Sequence, residues 1–180
     1  MAAPAAVFLE VFGTVVADPG TLATLARLKF KAGAATAIKR FVDAGARIFL
    51  STHRGGVPAP AHLQRVRTRI TDELAQHGVV ASELHFLDSP SRPGGTVWLL
   101  SRRALEAAAA AWHLDLRRCV IISEHMHDVK IGRDAGMITV LICSLDDTPD
   151  FEHQDWCEPD YVVETLHEAA DKILYRRRHE

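Results

Sequence analysis

Three stretches of this chain place carboxylates, hydroxyls or imidazoles directly after short apolar runs. Near the start, A-V-F-L-E-V-F-G-T (Ala6 to Thr14) ends its apolar run at Glu10 and turns at Gly13 and Thr14. The run Arg47 to Leu50 leads into Ser51-Thr52-His53-Arg54, and Cys119 to Ile122 leads into Ser123-Glu124-His125-Met126-His127-Asp128. The carboxylates Glu10, Glu124 and Asp128 are the oxygen ligands that a hard cation such as Mg²⁺ takes. Arg102 and Arg103 open an alanine-rich helical segment, where positive charge opposes the helix dipole, so they read as reaching toward an anion or a carboxylate. Two other arrangements of these residues stay open. His53, His125 and His127 with Glu124 would suit a softer ion such as Zn²⁺, Mn²⁺ or Fe²⁺. Alternatively the carboxylates pair with Arg102 or Arg103 and His53 in a dry pocket, which avoids buried unpaired charge.

These residues need a scaffold that brings strand ends together. Val7 to Leu9, Arg47 to Leu50, Glu83 to Leu87, Cys119 to Ile122, Ile138 to Ile142 and Tyr161 to Val163 read as short strands. Helical patterns lie between them: Thr21 to Ala44 with a break at Gly33, a segment burying Leu63, Val66, Ile70 and Leu74, Arg102 to Trp112 capped by Ser101, a short helix ending at Ala135, and Leu166 to Leu174. Alternation of strands and helices predicts an α/β, three-layer, Rossmann-like fold, a mostly parallel sheet with helices on both faces. The carboxyl ends of such strands open into one crevice, which is where Glu10, Ser51 and Glu124 would meet. The Pro- and Gly-rich loop Ser89 to Thr96 is too short for a second domain, so residues 1–180 are expected to form one domain without a large cap, ending in a flexible basic tail at 176–180.

Bulk properties exclude several function classes. A chain of 180 residues with 48% hydrophobic and 24% charged residues has the composition of a soluble globule and not of a disordered segment. A net charge of -2 gives no electrostatic case for a nucleic-acid or membrane partner. No stretch approaches the ~20 apolar residues of a membrane span. The start lacks the basic region of a secretory signal, and Cys119, Cys143 and Cys157 form neither a disulfide framework nor a metal knuckle, so a cytoplasmic location is expected.

The motifs together resemble the haloacid-dehalogenase-like phosphohydrolases, most closely the small-capped branch of histidinol-phosphate and heptose-bisphosphate phosphatases. F-L-E-V-F-G-T is similar to the family's first motif, F-L-S-T-H-R-G-G to its second, and I-S-E-H-M-H-D-V-K-I-G-R-D-A-G-M from Ile122 to its fourth. The closing P-D-Y-V-V-E-T-L-H-E-A-A matches the last strand and helix. The resemblance implies that Glu10 stands at the nucleophile and Phe12 at the acid/base. It implies phosphate binding by Ser51 and Thr52 with Arg102 or Arg103, and Mg²⁺ binding by Glu10, the Phe12 backbone carbonyl, Glu124 and Asp128. The branch's zinc-binding cysteine loop has no counterpart between Asp88 and Thr96.

Two departures shape the functional expectation. Glutamate in place of aspartate lengthens the attacking arm by a methylene, and a misplacement of about 1 Å costs roughly a hundredfold. A phenyl ring at Phe12 neither protonates a leaving group nor activates water, a contribution worth roughly 10²- to 10⁴-fold. The expectation is therefore a catalytically inactive phosphatase-like domain with a binding, structural or regulatory role, its partner another protein or a phosphorylated small molecule, and with Trp98, Trp112, Trp156 and the alanine face of 107–111 as candidate contact surface. The alternatives are a slow Mg²⁺-dependent phosphomonoesterase acting on small molecules, or a non-catalytic sensor of a phosphorylated metabolite or a divalent metal.

Overall fold

A computed structural model describes residues 3–17, 28–51, 60–87, 101–143 and 157–175. The elements in chain order are β1 (Ala6–Glu10), α1 (Ala34–Asp43), β2 (Arg47–Ser51), α2 (Pro60–Gln76), β3 (Leu84–Leu87), α3 (Arg102–Trp112), β4 (Cys119–Ser123), α4 (Met126–Asp134), β5 (Ile138–Ile142), β6 (Tyr161–Val163) and α5 (Leu166–Tyr175). The six strands form one sheet in the order β3-β2-β1-β4-β5-β6, every pairing parallel. Parallel strands need helical crossovers, and those crossovers cover both faces. That explains why β1 and β4 are buried along their whole length while the outermost strands, β3 and β6, are partly exposed.

Strand alternation divides the core. Val7, Leu9, Ile48, Leu50, Val120, Ile122, Val140 and Ile142 face one side, against Ala37, Ile38 and Phe41 of α1, Val66, Ile70 and Leu74 of α2, and Ala169 and Ala170 of α5. Ala6, Phe8, Phe49, Cys119 and Ile121 face the other, against Ala104, Leu105 and Ala108 of α3 and Ile131 of α4. Phe8 and Phe49 stack across the β1–β2 pair with ring centroids 4.7 Å apart. Burial pushes the Cys119 thiol up to about 11, consistent with an inert core cysteine. Trp112 is partly a packing residue: its ring lies 4.1 Å from that of His85, with the Arg47 guanidinium over its face.

The predicted helix across Thr21 to Ala44 is corrected over its described part. Residues 28–33 are not helical, and α1 begins only after Gly33, whose φ of 75° lies in the left-handed region. Phe30 instead pairs antiparallel with Val16, Ala17 N donates to Lys29 O at 2.9 Å, and Lys31 N donates to Val15 O at 3.0 Å. The segment is thus clamped to the loop leaving β1. The expected basic tail at 176–180, residues 21–27 of the expected helix, Trp98 and Trp156 lie outside the described residues.

Candidate active site

The chain reverses its direction of travel across the sheet at β1, which has β2 on one side and β4 on the other. A crevice opens at the carboxyl ends of the strands flanking such a switch. Three of those ends converge here. Glu10 ends β1 in register with Ser51, which ends β2, and Ser123 ends β4. Glu10, Ser51, Ser123 and Asp128 are all buried, Glu10 with only 3% exposure.

Ser123 ties the cluster together. Its Oγ lies 2.9 Å from Glu10 Oε2 and 3.0 Å from Asp128 Oδ2, and it accepts a hydrogen bond from the His125 backbone N–H at 3.0 Å. A hydroxyl has one proton to donate. Two ionised carboxylates therefore compete for it, and the arrangement is satisfied when one carboxyl holds a proton or a cation shares the load. Asp128 belongs to the first turn of α4, where a negative charge is favoured by the helix dipole.

His125, exposed over 47% of its side chain, lies against the buried Glu10. Its Nε2 is 3.3 Å from Glu10 Oε1 and 4.0 Å from Glu124 Oε1. The hydrogen bond to Glu10 pushes the imidazole up to about 9 against the cost of its own burial. Burial pushes the Glu10 carboxyl above its ordinary range, and His125 and Ser123 offset part of that rise. The two groups hold a proton between them through neutral pH.

Glu124 occupies a place that exists only because residue 13 is glycine. A Cβ on Gly13 would lie 1.8 Å from Glu124 Oε1, and Gly13 has a φ of 82°. On its outer side Glu124 Oε2 meets Lys31 Nζ at 3.7 Å. Beside Glu10, a cavity of about 10 Å³ is lined also by Ser51, Asp128, Phe49 and Leu87, at most the space of a single water.

The oxygen donors Glu10, Glu124 and Asp128, two of them sharing one hydroxyl proton, have the chemistry of a hard-cation site. In the positions observed, no three His, Cys, Asp or Glu side chains among the described residues are placed to hold one ion. His125 stands between Glu10 and Glu124, so a cation taking both carboxylates displaces the imidazole.

The other predicted site residues divide. Ser51 joins the cluster. Phe12 is 4% exposed and packs in the core with Val11, Val15 and Val16, so its ring is a structural side chain. Arg102 Nε donates to Glu106 Oε1 of its own helix at 2.8 Å, both side chains largely in solvent, and Arg103 is exposed. The carboxylate Arg102 reaches is therefore a neighbour on α3. His127 lies in α4, while Thr52 and His53 fall outside the described residues. Sequence reasoning missed Ser123 and Lys31 as site residues. A polar residue closing the apolar β4 run was a signal for Ser123; Lys31 was hidden in a segment read as helix.

Known proteins share this fold. A family model described as HAD-hydrolase-like matches residues 100–169. The chain is 30% identical over 186 residues to a D-glycero-D-manno-heptose-1,7-bisphosphate 7-phosphatase of Thermosynechococcus vestitus, covering 93% of this chain and 94% of that protein. Its fold matches a D,D-heptose 1,7-bisphosphate phosphatase from B. bronchiseptica complexed with magnesium and phosphate, with a TM-score of 0.78, 19% identity, and coverage of 95% of this chain and 99% of that one. A D,D-heptose 1,7-bisphosphate phosphatase from Burkholderia thailandensis matches with a TM-score of 0.70, 16% identity, and coverage of 93% and 97%. Kinship with a named phosphatase along nearly the whole length overturns the expectation of an inactive domain with a binding, structural or regulatory role. That expectation weighed two substitutions and could not see that Glu10 is joined to Asp128 through the buried Ser123 hydroxyl and to His125 at the surface. The parallel sheet, its crevice and this relative together make the chain a member of the haloacid-dehalogenase-like superfamily, in the heptose-bisphosphate-phosphatase-like branch.

Proposed function

We propose that this chain is a Mg²⁺-dependent phosphomonoesterase acting on a small phosphorylated sugar, with bisphosphates such as heptose 1,7-bisphosphate as the first substrates to try. The observation that carries this reading is Glu10, buried at the switch of the sheet and held by Ser123 and His125. The identity with the 7-phosphatase supports the substrate class.

Glu10 is the attacking carboxylate. Its oxygen forms a bond to phosphorus as the ester P–O bond breaks, and water then cleaves the acyl phosphate, releasing inorganic phosphate and restoring Glu10. Phe12 has no proton to give, so His125, freed from between Glu10 and Glu124 once a cation takes both carboxylates, is the group that gives the leaving oxygen its proton and regains one from the water. Ser123 orients Glu10 and Asp128 with respect to each other. A Mg²⁺ ion held by Glu10, Glu124, Asp128 and the Phe12 carbonyl would neutralise charge on the phosphoryl oxygens.

The test is phosphate release from sugar phosphates, sugar bisphosphates and an aryl phosphate, with Mg²⁺ and with a chelator. Glu10→Gln keeps the shape and removes the nucleophile, and a loss of at least about a hundredfold is expected. Turnover that survives in Glu10→Gln sinks the assignment of Glu10, and turnover indifferent to the chelator sinks the role of Mg²⁺.

A further inference from the structure

The geometry points to Lys31 as a substrate-binding residue, whose ammonium group leaves Glu124 to hold the phosphate of the incoming ester. This assignment rests on the proposed phosphatase reading and adds a residue that the family motifs do not contain.

A phosphate dianion approaching this crevice meets the carboxylates Glu10, Glu124 and Asp128, so cations of the protein have to meet it as well. Arg102 is engaged with Glu106 on the exposed face of α3. Among the described residues, His125 pairs with Glu10 and Glu124, and Lys31 pairs with Glu124. The cavity beside Glu10 is about 10 Å³ among the described residues, too small for a phosphate, and His125, Glu124 and Lys31 are the solvent-exposed members of the cluster.

The backbone of Lys31 is fixed more firmly than its side chain. Its N–H donates to Val15 O at 3.0 Å, and its carbonyl accepts from Ala34 N at 3.0 Å as α1 begins. The two-stranded clamp of 15–17 with 29–31 therefore delivers Lys31 beside the Gly13 turn, where Glu124 lies. The side chain is 40% exposed and its partner 33%, and 3.7 Å is longer than a hydrogen bond. An exposed pair of this length adds little to stability, so holding the fold together does not account for it. It costs little to break, as a residue that changes partner on substrate binding requires.

Two variants test the assignment: Lys31→Met, which keeps the stem and removes the charge, and Lys31→Arg, which keeps the charge. Binding of inorganic phosphate is measured by calorimetry with Mg²⁺ present, alongside KM and kcat for the best substrate. Lys31→Met should weaken phosphate binding and raise KM by about 10- to 100-fold, the range of a hydrogen bond to a charged group, with kcat changed much less. Lys31→Arg should recover most of the affinity, and both variants should melt at the wild-type temperature. Unchanged phosphate affinity and KM in Lys31→Met, in a wild type that hydrolyses phosphate esters through Glu10, overturns the role of Lys31 and leaves the phosphatase reading standing. A fall in kcat alone also overturns it. A wild type that neither turns over nor binds phosphate overturns both.

Discussion

Glu10 and Glu124 carry the same functional group in opposite settings. Glu10 is buried, with one hydroxyl and the His125 imidazole against it, whereas Glu124 is a third exposed and lies across a bare glycine α-carbon. The difference makes Gly13 the residue on which the outer half of the site depends. In Gly13→Ala the new methyl group would occupy the place of the Glu124 carboxylate, and the φ of 82° is one that alanine resists. Because Glu124 is flexible, it moves aside, and the backbone term of about 1 kcal/mol dominates the stability loss. Mg²⁺ affinity should fall more than stability does, since the displaced group is a proposed ligand. Calorimetric titration with Mg²⁺ beside a urea melt separates the two, and unchanged Mg²⁺ affinity would show that Glu124 does not coordinate the ion from this position.

At the level of elements, α4 positions the chemistry by docking on β4 and β5 at very close range. Gly132 is the contact point: a Cβ there would lie 2.3 Å from Ile121 Cγ2 and 3.4 Å from Thr139 Cγ2. Ile121 is β-branched and fully buried, so it has nowhere to retreat. Gly132→Ala gains about 1 kcal/mol of helix propensity. Overpacking a tight core costs typically about 1–3 kcal/mol. The second effect is expected to win, with a net loss of about 1 kcal/mol seen as a lower urea midpoint at unchanged slope. Asp128 lies one turn earlier on the same helix, so the variant should also lose activity beyond what its unfolded fraction explains. A stabilised Gly132→Ala would mean that α4 slides on the sheet freely.

The pH dependence belongs to the whole molecule, because the Glu10–His125 pair joins the end of β1 to the start of α4. His125 is raised from 6.5 to about 9. A group raised in the folded state contributes stability that is complete below its unfolded value and is lost as pH rises through its folded one. The raised Glu10 carboxyl acts with the same sign. Chelator-treated protein should therefore melt at progressively lower temperature between about pH 6.5 and 9. His125→Gln should flatten that slope relative to wild type; equal slopes in the two proteins would show that the pair does not hold its proton in this way. No helix among the described residues is long and apolar enough to cross a membrane, in keeping with the ordinary composition of the chain.

The sequence by itself determined the strands, the helices that separate them, the parallel sheet and the edge where Glu10, Ser51 and Glu124 come together. Those features follow from apolar periodicity and punctuation by Gly and Pro, which are local and repeat along the chain. It also contained the motif order that marks the superfamily. What it did not contain was the pairing of side chains. Glu10 and Ser123 are 113 positions apart and meet only because β1 and β4 are neighbours in the sheet. Phe12, which looked like a defect in a reactive loop, is a core residue because the chain turns after Glu10 and carries the ring inward. Lys31 lies beside Glu124 because α1 begins only after Gly33 and an extended clamp holds 29–31 against 15–17. Only the tertiary structure decided whether the substituted motifs were an abandoned site or a connected one, since burial and hydrogen-bond partners are set by packing between segments far apart in the chain.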